Sequence, residues 1–219
     1  MVLTVKALAA LTDKPNIDQI SLELLRQFYE IHLEPFTFVF ELEDGQKISL
    51  DFKKEEFCHL VGIQKLAVNF VAVKDRYKYF GAEGYKNIQN GTITLKGLRN
   101  SKTKKHFSLI KDKLVFFYLI PSIVNSPKIM LDFVAAPQGS KIQCKLLAYN
   151  STADVYVHLG IDEDKVAGRH FPRTFFTERV NQSSDGTKFL KGQKPLNVVN
   201  TEVIDRRKPT PQTHAHIST

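Results

Sequence analysis

The sequence predicts an α+β fold, with helices packed on a mostly antiparallel sheet and an N-terminal helix and hairpin in front. Three observations carry that expectation. The 219 residues are 42% apolar and 25% charged, enough for one substantial core and unlike collagen-like or disordered chains. Apolar residues at helical spacing before Pro35 give way to strict alternation on either side of Asp44-Gly45, a helix followed by a hairpin. Alternation returns in three short runs after Pro127, which read as an antiparallel meander.

Taken in order, Asn16 or Asp18 caps a helix that runs to about Ile31, with Ile17, Ile20, Leu24, Leu25 and Phe28 on its apolar stripe. Pro35 stops it. Phe36, Phe38, Phe40 and Leu42 alternate as one strand, Asp44-Gly45 forms a tight turn, and Ile48, Leu50 and Phe52 form the returning strand. A short helix is expected from about Lys53 to Gly62. A weakly patterned, irregular section containing Gly81, Gly84, Gly91 and Gly97 leads to a helix from about Lys104 to Ile120, ended by Pro121. The meander strands centre on Ile129-Leu131-Phe133, Ile142-Cys144-Leu146 and Val155-Val157-Leu159, and His170–Thr177 and Pro195–Ile204 add two more. Residues 1–204 are expected to form a single domain and 205–219 a polar tail outside its core.

The formal net charge of +8, from 31 Lys+Arg against 23 Asp+Glu, fits a polyanionic partner. Its distribution is uneven: residues 1–73 carry −4, residues 74–113 carry +8 and residues 114–219 carry +4. Tyr77, Tyr79, Phe80 and Tyr85 are interleaved with the middle cations, a composition that can neutralise phosphates and stack on bases. The same composition also describes a solvated face whose rings pack inward.

Several function classes are excluded or disfavoured. No Gly-rich loop leads into Lys-Ser or Lys-Thr, no GxGxxG follows a strand, and no GxSxG elbow occurs. Cys58 and Cys144 stand far apart with no CxxC spacing, so neither a disulfide framework nor a zinc cage is expected and a reducing cytoplasm is the expected home. Met1–Leu11 lacks the features of a signal peptide. The longest apolar run, Leu114–Val124, is eleven residues interrupted by Pro121 and Ser122, short of the roughly 20 that span a bilayer. No membrane association and no cofactor are expected.

Candidate chemistry falls on a few segments. On a helix, His59 projects opposite Phe57, Leu60 and Val61 and beside Glu55, where an imidazole can act as general base or acid. Period 2 places His158 with Asp154 and Tyr156 on a polar or ligand-facing side of its strand. The run Arg169-His170-Phe171-Pro172-Arg173-Thr174-Phe175-Phe176-Thr177 gathers guanidinium, imidazole and hydroxyl groups suited to a phosphate. Lys188, Lys191, Gln193 and Lys194 form a late polar cluster, and Lys102, Lys104, Lys105 and His106 gather near a helix start where an anion would relieve local charge conflict. His214 and His216 could hold a metal only weakly. Asp44, Asp51 and Lys53 have the acid then acid-x-Lys spacing of a Mg²⁺-dependent nuclease, although the turn is the more economical explanation of Asp44.

The segment FTFVFELEDGQKISLDFKKEEFCHLVGIQKL, followed far downstream by HFPRTFF and GQKPLNVVNTEVI, resembles a phage-associated group of barnase/EndoU/colicin/RelE-like nucleases. These anchors span Phe36 to Ile204. The resemblance implies a barnase/EndoU-like core, with His59, Lys65, Arg173, Thr174 and Gln193 at the site. It implies metal-independent cleavage of RNA through the ribose 2′-hydroxyl. The roles expected on that basis are His59 as base, Arg173 and Lys191 on the phosphate, Thr174 orienting, and His170 or His158 as acid. Lys65, His158, Gln193, Lys194, Lys102, Lys104 and Lys105 are the expected substrate contacts. RNA or another nucleic acid is the expected partner, with a protein inhibitor as a further one for a toxin-like enzyme. The alternatives are a non-catalytic nucleic-acid or protein-binding module built on residues 74–113, and the Mg²⁺-dependent nuclease.

Overall fold

The computed structural model describes residues 1–100, 104–125, 129–134, 142–152 and 155–208. Helix α1 (Val5–Ala9) is capped by Thr4. Asn16 caps only a 3-10 turn, Ile17–Gln19, and α2 (Leu22–His32) is capped separately by the Ser21 hydroxyl, which accepts from the Leu24 amide. The expected single helix is thus divided at Ile20, whose extended backbone starts a new cap. Leu24, Leu25 and Phe28 face the core as the spacing requires.

Strands β1 (Phe36–Leu42) and β2 (Lys47–Asp51) form the expected hairpin, pairing Phe38 with Leu50 and Phe40 with Ile48. Helix α3 (Lys54–Leu60) is followed after Gly62 by α4 (Ile63–Phe70). The middle section is largely helical, not irregular: a 3-10 helix Val73–Tyr79, α5 (Gly81–Gln89), α6 (Leu95–Asn100), a 3-10 turn Lys104–His106 and α7 (Ser108–Phe116). These helices are shorter than the windows over which periodicity is read, and packing of Tyr85, Ile88, Leu95 and Leu98 stabilises them. Nor does Pro121 end the helical run. A 3-10 turn, Phe117–Leu119, leads into α8 (Ile120–Asn125), where Pro121 occupies the first turn and its missing N–H costs nothing.

The other strands are β3 (Ile129–Asp132), β4 (Leu146–Thr152), β5 (Val155–Asp164), β6 (Arg169–Arg179), β7 (Lys194–Leu196) and β8 (Val198–Asp205). They join the hairpin in one sheet of order β7-β3-β4-β5-β6-β2-β1-β8, antiparallel except at β2–β6. Strand β4 starts later than the Ile142-Cys144-Leu146 alternation suggests. The Pro195–Ile204 run is two strands on opposite edges, separated by Asn197 alone. Both edges must meet there, so the sheet is curled. Hydrogen bonds between Asn197 and Glu43 hold that junction, at 2.6 and 2.9 Å.

Helices cover one face of the sheet, where Phe117 meets Phe28, Tyr29, Phe57 and Phe175. A smaller cluster, with Leu131, Phe133, Leu147 and Phe189, covers part of the other face. His158 lies in this second cluster with 0% exposure, so the side of β5 expected to be polar is buried there. Asp205 to Lys208 belong to the fold instead of a tail, because the Arg206 amide donates to Pro35 and its guanidinium reaches the Glu34 and Phe52 carbonyls. His214 and His216 lie outside the described residues. Among the described residues, no helix is long and apolar enough to cross a membrane.

Candidate active site

Helix α3 buries Phe57, Cys58 and Leu60 and leaves His59 at the surface. Gly62 then takes φ +83, a backbone that an L side chain resists. Space reinforces that choice, since a Cβ here would stand 2.7 Å from Ile110 Cγ2 and 3.1 Å from Lys113 Cδ. The turn swings α4 back so that Gln64 Oε1 lies 3.0 Å from His59 Nδ1, with Lys65 next to it.

The opposite wall is β6, whose link to β2 is the single pair Leu50–His170. Pro172 pairs with Ile161 and Thr174 with Gly160, leaving Arg173 between two consecutive partners of β5. Arg173 is therefore a β-bulge residue, a device that re-aims a side chain beside a site. Gly160 permits the close approach, as a Cβ there would stand 2.7 Å from Thr174 Cγ2. Helices α3 and α7 pack against β6.

Between these walls lies a cleft of about 540 Å³. His59, Lys65, Arg173 and Thr174 line it, joined by Lys113 from α7. Val68, Ile142, Phe176 and Phe189 add apolar lining, and Glu178 a carboxyl. Among the described residues, Lys65, Lys113 and Arg173 have no carboxylate in ion-pair range, and Arg173 is the arginine whose guanidinium has no hydrogen-bond or ring partner. Arg26, Arg99, Arg169, Arg179, Arg206 and Arg207 are all held by acids.

Partial burial lowers the pKa of His59, and the charges of Lys113 and Arg173 add to that, while contacts with Gln64 and the Arg173 main chain oppose it. The ring is thus held by Gln64 and favours its neutral form at pH 7. Burial, with Lys65 nearby, pushes the Lys113 ammonium down to about 8. Both cysteine thiols are pushed up to about 12 by burial and stay protonated.

The comparison with protein families matches residues 25–215 to the family described as phage-Barnase-EndoU-ColicinE5/D-RelE like nuclease4. The chain belongs to this nuclease-like family. The match covers the hairpin, the His59 helix, the bulged strand and the closing strand β8, and it implies a nucleic-acid substrate. No curated protein and no solved structure matches the chain.

In this family member the other candidate residues are dispersed. His170, 7% exposed, lines a separate cavity of about 180 Å³ with Asp51, Glu56 and Arg169. His158 stacks on Phe176 at 4.6 Å, and burial pushes its pKa down to about 4. Lys191 pairs with Asp185 at 2.9 Å on an exposed loop. The Gln193 side chain makes two 2.9 Å bonds to the Val134 main chain, a structural clamp, and Lys194 starts the edge strand β7. Lys104 is exposed away from the cleft; Lys102 and the Lys105 side chain lie outside the described residues. His106 stacks on Phe70 with ring centroids 3.5 Å apart.

Asp44 and Asp51 share no site: Asp44 accepts from Gln46 in the turn, whereas Asp51 ends β2 beside Arg169, Arg206 and the Thr37 hydroxyl. A strand's length, roughly 17 Å, separates them. Among the described residues, no three of His, Cys, Asp and Glu converge as a metal site would require. The residue missed from the sequence is Lys113. Its signal was a lysine adjoining the apolar stripe Ile110, Leu114 and Phe117, where a purely structural helix places another apolar side chain.

Proposed function

We propose that the protein is a metal-independent endoribonuclease whose active site is the cleft of His59, Lys65, Arg173 and Thr174. The carrying observation is the convergence of cations without counter-ions on a histidine favouring its neutral form. A phosphodiester supplies the missing negative charge, and the developing charge of its transition state is met by the Arg173 fork and the Lys65 ammonium. His59 removes the 2′-hydroxyl proton through Nε2, while Nδ1, 3.0 Å from Gln64 Oε1, donates to that oxygen and orients the ring. The Thr174 hydroxyl orients a phosphate oxygen. A divalent cation would sit among three positive side chains, an unfavourable place for it.

The experiment is cleavage of RNA by the purified chain in EDTA. Expected products carry 2′,3′-cyclic phosphate and 5′-hydroxyl ends, and a 2′-deoxy substitution at the scission point blocks them. His59→Ala and Arg173→Ala each lower kcat/KM by about 10²-fold or more. Salt-sensitive binding with no turnover would instead favour the non-catalytic module, and loss of cleavage in EDTA would favour the metal-dependent reading.

A further inference from the structure

A base that takes the 2′ proton needs a partner that protonates the leaving oxygen, and among the described residues no second histidine lines the cleft. Lys113 does line it. Its position in α7 lies between Asp112 and the fully buried Leu114, and its stem packs closely over Gly62, where a Cβ would stand 3.1 Å from its Cδ. The one acid beside it in the chain, Asp112, is taken by both guanidinium arms of Arg179, at 2.9 and 2.5 Å. The charged and titratable groups around it are His59 from α3, Lys65 from α4 and Arg173 from β6, with Glu178 further along the β6 wall. An ammonium half out of water, among other cations and without a counter-ion, releases its proton more readily than an ordinary lysine. It is still mostly protonated at pH 7, with its pKa at about 8.

We propose that Lys113 is the general acid of this cleft, delivering a proton to the 5′-oxygen as the bond between that oxygen and phosphorus breaks. The inference rests on the ribonuclease reading above. The step balances. The 2′ proton passes to His59 and the 2′-oxygen forms a bond to phosphorus. The electron pair of the breaking bond stays on the 5′-oxygen, which takes a proton from Lys113 Nζ. A cyclic phosphate and a 5′-hydroxyl result, and the imidazolium and amine re-equilibrate with water.

The test compares ordinary RNA with RNA whose bridging 5′-oxygen at the scission point is replaced by sulfur, because a thiolate leaves without protonation. For Lys113→Arg, which keeps the charge but holds its proton, kcat on ordinary RNA is expected to fall about 100-fold or more. On the sulfur-bridged substrate the loss shrinks to less than about five-fold, and the alkaline limb of the ordinary kcat profile near pH 8 disappears. His59→Ala slows both substrates. Equal losses on the two substrates, or none on ordinary RNA, would overturn the acid role while leaving the nuclease reading intact. A parent protein that cleaves neither substrate overturns the nuclease reading itself. Lys113→Gln, checked for an unchanged thermal transition, repeats the comparison without the guanidinium.

Discussion

His158 and Gly62 show how one side chain can be governed by opposite demands. His158 is fully enclosed with neither ring nitrogen hydrogen-bonded, and burial lowers its pKa from 6.5 to about 4. The unfolded chain therefore takes up a proton as pH falls through 6.5 while the folded chain does not. This histidine costs stability progressively between pH 6.5 and 4, by up to about 3 kcal/mol. Urea unfolding of His158→Phe is expected to be flatter with pH across that window than the parent's, and unchanged curvature would contradict the account. Gly62 and Gly45 share nearly the same backbone, φ +83 and +82, but a Cβ meets nothing within 4 Å at Gly45 and strikes Ile110 at Gly62. Gly45→Ala should cost about 1 kcal/mol for backbone strain alone. Gly62→Ala should cost about 1–3 kcal/mol more through overpacking, and it should also reduce activity by displacing Lys113 and Gln64.

Elements meet at Phe117. This ring, in the turn between α7 and α8, touches Phe28 and Tyr29 of α2, Phe57 of α3 and Phe175 of β6. It therefore holds the two walls of the cleft to a common core. Phe117→Ala should lower stability by about 3–5 kcal/mol in chemical denaturation. The Tyr29 hydroxyl donates to the Lys53 carbonyl at 2.6 Å, fixing the start of α3 against α2. Tyr29→Phe removes one of two donors to that carbonyl, the Glu56 amide remaining at 3.1 Å, and should cost about 0.5–1.5 kcal/mol. At this scale the hairpin and meander were legible because period 2 and Asp44-Gly45 are local signals. The short helices of the middle section were not, since each is stabilised by neighbours distant in sequence. The bulge at Arg173 was equally hidden, as it exists only relative to β5.

For the molecule as a whole, the uneven charge has an unexpected connection to the site. The +8 section between Lys74 and Lys113 lies mostly in helices away from the cleft, but its last member enters the cleft wall. Three cations without acid partners should give single-stranded RNA binding a log–log salt slope of about −2, and Lys65→Ala should reduce its magnitude by about 0.7. Fluorescence anisotropy across a salt series measures both, and a salt-independent affinity would contradict this reading of the cleft. By itself, the sequence determined the α+β class, the hairpin, the family resemblance and the surface placement of His59, because these follow from period, turn residues and local motif. Only the tertiary structure decided which basic residues share a cleft. Burial and side-chain convergence are relations between distant segments: they bring Lys113 and Arg173 to His59, enclose His158 and send His170 to a separate cavity.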